Sequence, residues 1–368
     1  MKNKLILAVS LLALGAAAPV LAQQAQAPAN TGPIPAQRMG SWGFDVSGMD
    51  RSVRPGANFF DFANGAWARR TQIPADRSSF GAFHVLGELS ENRVRRLVEG
   101  YQLGQPGDRG KVAALYRSFL DEARVEQLGA QPLQPLLQRV RAAQSRDQIA
   151  ELMGRSAGSI GASFFGIGVN DDQRNPDIYA LSMGQSGLGL PDRDYYLNER
   201  FSAQKARYQQ YVAQMLGLAG WENAEAAAQA IVAMETRIAE AHWDRAQSRN
   251  RDRTYNPVTL AELEAQAPNF PWRTYFRAAG IDNPERVILR QNTAIPRLAQ
   301  IFAETDPATL RAWYAFHTAD RSAPLLSRAF VDAQFDFRSR FLQGQPQQRD
   351  RWKRAIGFAE GAMGEAIG

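Results

Sequence analysis

Between Pro55 and Tyr101 the chain reads PGANFFDFANGAWARRTQIPADRSSFGAFHVLGELSENRVRRLVEGY. Phe59, Phe60, Phe62, Trp67, Phe80 and Phe83 fall within 25 positions, punctuated by Gly56, Gly65, Pro74 and Gly81. Aromatic side chains dominate the burial of apolar area, and glycine and proline set sharp changes of direction. A span this rich in rings is expected to serve as core, with the rest of the chain arranged around it.

The chain has 368 residues, enough for two domains or one large one. With 45% hydrophobic and 22% charged residues it is ordinary globular material. The net charge is +6, but the arginines are scattered rather than gathered into a basic block. That pattern speaks for solubility and against nucleic-acid binding. Cysteine is absent, which excludes disulfides, thiolate metal sites and a cysteine nucleophile.

Residues 1–22 read as a cleavable signal peptide. Lys2 and Lys4 precede an apolar run from Leu5 to Ala18, and Val20-Leu21-Ala22 offers small residues for cleavage after Ala22. The run is too short to span a bilayer comfortably, and no later stretch supplies a membrane anchor. A periplasmic or secreted protein is expected. Residues 23–42 are rich in Gln, Ala, Pro and Gly and read as a flexible leader; the folded part begins at 43 and runs to 368.

From Glu91 onward helical periodicity dominates. Val94, Leu97, Val98 and Tyr101 recur at helical spacing, with Glu91 four before Arg95. A second helix carries Val112, Leu115, Tyr116, Phe119 and Leu120 and ends near Gly129; a third carries Leu133, Leu136, Leu137 and Val140. Ser145 with Gln148, and Thr259 with Glu262, form candidate capping boxes. The period changes at Ser163. Phe164–Val169 and Ile178–Met183 read as strands of one hairpin, joined by a polar turn. Helices resume with Tyr208, Tyr211, Val212 and Met215, then Ala227, Ile231, Met234, Ile238 and His242. Tyr255-Asn256-Pro257 reads as a loop. Trp352, Ile356, Ala359, Met363 and Ile367 form a final apolar stripe with no polar tail after it, which reads as a surface awaiting a partner.

Five of these segments together resemble the N-terminal half of the neprilysin-type (M13) zinc metallopeptidases, bacterial type. They are Pro55–Trp67 with Ile73-Pro74 and Ser78–Phe83; Gln185–Leu197, which reads QSGLGLPDRDYYL; Pro268–Trp272 with Tyr275-Phe276; Trp313–His317 with Leu326–Phe330; and Trp352–Ile356 with Glu360–Gly368. The resemblance implies a mostly helical lobe with a small β-hairpin, forming the lid and wall of a cavity that admits peptides. It implies zinc in the complete enzyme, peptide substrates cut on the amino side of hydrophobic residues, and a catalytic C-terminal half as partner. Asn64 stands where many animal relatives carry a cysteine. In neprilysin-like members the segment matching Ser79–Gly87 shapes a substrate subsite with arginines and an aspartate. Here Ser79 and Gly87 take the arginine places and His84 that of the aspartate, with Phe80 between them, so the position carries over and its charge does not.

The chain lacks the family's HExxH. Two histidines at i and i+4 share a helix face and hold one zinc, with the glutamate activating its water. The three histidines present are followed by Val85, Trp243 and Thr318, and none has a second histidine four residues on. No zinc is expected in this chain, and no peptidase activity from it alone. His242 reads as a satisfied core residue, His317 as packing at a helix end, and His84 as either a helix-entry residue or part of the subsite. Asp192-Arg193-Asp194 reads as a loop held by hydrogen bonds and an ion pair. Asp171-Asp172 admits calcium but lacks EF-hand spacing. Adjacent carboxylates on one loop do not suit glycoside hydrolysis, and neither GxSxG, a P-loop nor a dinucleotide fingerprint occurs. The alternative function is a non-catalytic periplasmic peptide-binding or scaffold protein with the same lobe.

Overall fold

The computed structural model describes residues 45–368. The expectations for the signal peptide, the leader and residues 43–44 lie outside the described residues. The N-terminal helices are α1 (Phe59–Arg70), α2 (Ala82–Gly100), α3 (Asp108–Leu120), α4 (Glu122–Leu128), α5 (Gln134–Ala142) and α6 (Arg146–Arg155). Strands β1 (Phe165–Asp171) and β2 (Tyr179–Gln185) follow, then α7 (Asp194–Leu197), α8 (Ser202–Leu218), α9 (Ala224–Ala241) and α10 (Arg245–Arg249). Next come β3 (Asn256–Val258), α11 (Leu260–Gln266), α12 (Trp272–Ala278) and β4 (Val287–Leu289). The chain closes with α13 (Ala294–Glu304), α14 (Pro307–Ser322), α15 (Arg328–Gln334), a π-helix over Phe335–Phe341 and α16 (Arg351–Ile367). A mainly α-helical lobe results.

The local signals hold where side chains can be satisfied by near neighbours. Both capping boxes form, Ser145 with Gln148 and Thr259 with Glu262. The long second helix instead breaks in two. Asp121 leaves helical geometry and accepts from Arg124 N at 3.0 Å, capping α4, and Gly129 at φ 53° ends it. An aspartate that can serve as N-cap competes with helix continuation. Glu91 also finds a different partner: it pairs with Arg349 at 2.6 Å, while Arg95 pairs with Glu99 at 2.8 Å.

The hairpin is the first half of a four-stranded sheet, order β1-β2-β4-β3. β1 and β2 are antiparallel from Phe165 opposite Gln185 to Asp171 opposite Tyr179; β2 and β4 are parallel, and β4 and β3 antiparallel. The Tyr255–Pro257 loop expectation is thus corrected, because Asn256 and Pro257 belong to β3. Proline is tolerated there since β3 is an edge strand, whose outer side needs no donor. The hairpin turn closes on Asp172, whose buried carboxylate accepts from Arg174 N (2.8 Å) and Tyr255 Oη (2.9 Å) and pairs with Arg286 (2.6 Å). Its oxygens are thereby committed to the turn, not to calcium. The Arg174 N–H is the leading cause that holds this carboxyl below its ordinary pKa.

Helix α14 is the axis of the main core. Asp306 caps it by accepting from Ala308 N (3.1 Å) and Thr309 N (3.3 Å), Pro307 opens it, and residues Trp313 to Asp320 are all buried. It packs on α5, α6, α8 and α9. His317 therefore sits inside a buried helix rather than at its end. Its Nε2 lies 2.9 Å from Glu235 Oε1, and Glu235 itself is fully buried on the apolar face of α9. The Tyr196 hydroxyl donates to Glu235 Oε2 at 2.5 Å and Trp313 Nε1 to Oε1 at 3.1 Å. Tyr196 Oη in turn accepts from Gly189 N (3.1 Å) and Leu190 N (3.0 Å).

A second buried acid lies one turn along α14. Asp320 accepts from Tyr211 Oη (2.5 Å) and Arg338 Nε (2.9 Å), and Arg338 also donates to Gly189 O (3.1 Å). Burial by itself would raise the Asp320 pKa; the Arg338 guanidinium outweighs it and the net shift is downward. The loop QSGLGLPDRDYYL is thus pinned to two buried acids. Asp192 accepts from Asp194 N (2.9 Å) as expected, but its ion pair is with Arg245 (2.6 Å), not with Arg193.

A smaller core lies apart from this one. Val98 of α2, Val112, Tyr116 and Phe119 of α3, and Ala355, Ile356, Ala359 and Ile367 of α16 bury one another. Ile356, Ala359 and Ile367 of the final apolar stripe are therefore buried from within the described residues, while Trp352 and Met363 stay half-buried.

Two substitutions contrast a buried contact with an exposed one. Replacing Glu235 by Ala strands the Tyr196, Trp313 and His317 donors in the interior and should cost about 3–5 kcal/mol in denaturant unfolding. The exposed Glu122–Arg328 pair, broken by Glu122→Ala, should cost about 0–1 kcal/mol. Equal losses would sink the assignment. In acid, His242 should act first. Burial holds its pKa down to about 4 in the fold, against about 6.5 unfolded. Its contribution is complete above pH 6.5 and fades as pH falls towards 4, because the unfolded chain then binds the extra proton. Asp320 and Asp172, with depressed pKa values, hold until lower pH and are lost as pH falls through their folded values. His242→Gln should flatten the stability profile between pH 6.5 and 4 and leave the lower limb in place.

Candidate functional site

The segment expected to face substrate runs from Ser79 to Gly87, where a loop enters α2. Upstream, Asn58 caps α1 by accepting from Asp61 N (3.1 Å) and donating to its Oδ2 (2.7 Å). Gly65 allows α1 to lie against Asp50, since an added Cβ would stand 3.0 Å from Asp50 Cβ. The loop between the helices is tied to the last part of the chain. Gln347 N donates to Ala75 O (2.9 Å), Lys353 pairs with Asp76 (2.7 Å), and Arg77 pairs with Glu88 (3.0 Å). These ties fix where α2 begins.

Gly81 is the N-cap of α2 and provides no side-chain cap. His84 lies in the first turn and stacks on Phe80, ring centroids 5.9 Å apart and planes 26° apart. Both are half-buried. Ser79 and Gly87 are exposed, and a Cβ at Gly87 would meet nothing within 4 Å. Of the four residues singled out in the sequence, the structure brings Phe80 and His84 into contact and leaves Ser79 and Gly87 at the surface.

The aromatic span does not become core. Phe83 is 88% exposed, Phe59 70% and Phe60 64%, and Phe62, Trp67 and Phe80 are only half-buried. Ile73, Leu86 and Leu97 are exposed beside them. The reading of Pro55–Tyr101 as a core segment does not hold for these rings. The rings are held in place by caps and ion pairs while their apolar faces stay uncovered. An apolar surface of this kind marks a place where something else packs.

The donor set for a metal was tested on all described residues. No group of three or more His, Cys, Asp or Glu side chains is placed to hold a metal ion. His317 is used by Glu235, and His242 Nε2 lies 3.1 Å from Ser186 O, so neither offers itself as a ligand. Glu235 is the residue that sequence reading passed over. It falls between Ile231 and Ile238 on an otherwise apolar stripe, and a carboxylate at such a position was the available signal.

Comparison with known proteins decides what the lobe is. Residues 55–368 match the family model described as peptidase family M13. The chain belongs to peptidase family M13. Human endothelin-converting enzyme 1 is 27% identical over 337 residues, covering 88% of this chain and 44% of the enzyme. The bovine enzyme is 26% identical over the same length. Among solved structures, the inhibitor complex of the Mycobacterium tuberculosis zinc metalloprotease Zmp1 is 34% identical, with a TM-score of 0.81 over 88% of this chain and 50% of that one. PepO of Lactobacillus rhamnosis, at 21% identity and a TM-score of 0.71, shares the fold. This M13 chain spans about half the length of the relatives it matches.

A consequence can be measured. If the ring surface on α1 and α2 is uncovered, the hydrophobic dye ANS should bind the purified chain. Phe59→Ser with Phe83→Ser should lower that signal at least twofold and leave the unfolding midpoint unchanged. Unchanged dye binding would mean that the rings are covered in solution.

Proposed function

We propose that this lobe is the lid and wall of an exported zinc metalloendopeptidase that cuts peptides on the amino side of hydrophobic residues. The M13 match over residues 55–368 carries the reading. Among the described residues no side chains are grouped to hold a zinc ion, and no catalytic step is assigned to them. Their task is to bind, enclose and exclude. The catalytic partner is a C-terminal half of the M13 type bearing HExxH, and the uncovered rings of Phe59, Phe60 and Phe83 supply the surface against which it packs. Burying apolar surface contributes about 25 cal/mol per Å2, so a few large aromatics at one contact suffice to anchor it.

In this reading Phe80 and His84 line the peptide path beyond the scissile bond, with Ser79 and Gly87 at its edge. Without the arginines of neprilysin-like members, the subsite has no fixed charge to select acidic or C-terminal-carboxylate substrates. The expected Ala22 cleavage supports export. Among the described residues no helix is long and apolar enough to cross a membrane.

One observation favours the other reading, a periplasmic peptide-binding or scaffold protein. Ile356, Ala359 and Ile367 of α16 are buried against α2 and α3, which leaves less of that stripe for an outside partner. Two measurements separate the readings. The coding DNA beyond the Gly368 codon either continues in frame to HExxH, as the enzyme requires, or stops. The purified chain should cleave no fluorogenic peptide and hold no stoichiometric zinc; activity with one zinc per chain would overturn the division of labour proposed.

A further inference from the structure

β2 and β4 run parallel with Leu289 opposite Met183, and β2 continues past that point to Gln185. Chains leaving parallel neighbours diverge, and the crevice beyond the carboxyl ends of such strands is where α/β folds hold ligands. A cavity of about 500 Å3 opens at this place, between the loop after β2, the corner joining α9 to α10, and Arg290. It lies on the signature loop QSGLGLPDRDYYL, which the main core pins from behind.

The walls are set in advance. The Gln185 side-chain amide exchanges two hydrogen bonds with the Trp243 main chain, Nε2 to O at 2.9 Å and N to Oε1 at 2.7 Å. Gln291 Oε1 accepts from Gln185 N at 3.0 Å. A crevice already held open saves part of the ordering cost of binding.

Its charges are of both signs and are only partly paired. Asp192 is used by Asp194 N and Arg245. Arg193 spends its Nε on Ala239 O at 3.2 Å, and its terminal nitrogens have no hydrogen-bond or ion-pair partner among the described residues. The Arg290 guanidinium and the Asp194 carboxylate likewise have none there. The lining holds three arginines (193, 245, 290) against three aspartates (192, 194, 244), and burial keeps His242 neutral near pH 7. A balanced lining gives a lone anion or a lone cation no net attraction; it suits a ligand with both charges, each facing its complement.

We infer that this crevice binds short zwitterionic peptides of the di- and tripeptide class, the carboxylate on Arg193 and Arg290 and the ammonium on Asp194. The site is built wholly from this chain. It stands or falls separately from the catalytic reading, since binding is measured without any peptidase activity.

Isothermal titration of the full chain with alanyl-alanine should show saturable binding, and Trp243 fluorescence should change in step. N-acetyl-alanyl-alanine amide, which lacks both charges, should bind at least tenfold more weakly, and so should sodium acetate. Arg290→Ala and Asp194→Asn should each weaken alanyl-alanine at least fivefold, with Arg290→Lys recovering part of the loss. Matched thermal unfolding midpoints would show that these rim variants fold. Absence of saturable binding to the wild-type chain, equal affinity for the blocked dipeptide or for acetate, or indifference to both substitutions would each overturn the inference.

Discussion

One buried carboxylate group organises this lobe. Glu235 has no access to water, so its oxygens must find donors inside the protein or destabilise the fold by several kcal/mol. It draws them from two separate helices: Tyr196 from α7, and Trp313 and His317 from α14. Because Tyr196 Oη also takes the Gly189 and Leu190 N–H groups, the same centre sets the path of the chain as it leaves β2. The neighbouring Asp320–Arg338 pair grips that loop from the other side through Gly189 O. Gly189, Leu190 and Tyr196 of the QSGLGLPDRDYYL run are therefore the residues that hold it in place. Gly189 shows how tight the fit is, since a Cβ there would stand 1.8 Å from the Tyr208 hydroxyl oxygen.

The two hydrophobic clusters make a further distinction. The larger one surrounds α14, while the smaller one joins α2, α3 and α16 and leaves Phe83, Leu86 and Leu97 of α2 exposed. The apolar stripe of α2 is therefore only partly covered. Val98 looks inward and is 1% exposed, whereas Leu97 and Phe83 look outward. A helix whose apolar stripe is left partly bare has room on it for a second body. The partly bare stripe supports the proposed lid-and-wall role.

Much of the helical architecture was legible from residue order. The Tyr208–Met215 and Ile231–Ile238 stripes became buried faces of α8 and α9, and both capping boxes formed, because each depends on residues within a turn or two of one another. β3 and β4 escaped notice because three residues show no periodicity; their pairing with each other and with β2 creates them. The break at Asp121 was missed for a related reason. A capping aspartate and a mid-helix aspartate look alike until the following turn is positioned.

By itself, the sequence determined that the chain is mainly helical, that it lacks the HExxH ligands of its family, and that the motifs of an M13 N-terminal half recur from Pro55 onward. These depend on short-range spacing and on which residue types are present. Only the tertiary structure decided that the most aromatic span lies at the surface, that His317 serves a buried acid, and that the signature loop borders an open crevice. The reason is common to all three. Whether a ring or a charge is buried depends on what arrives from distant parts of the chain, and hydrophobicity read along a segment does not say which side of it will be covered.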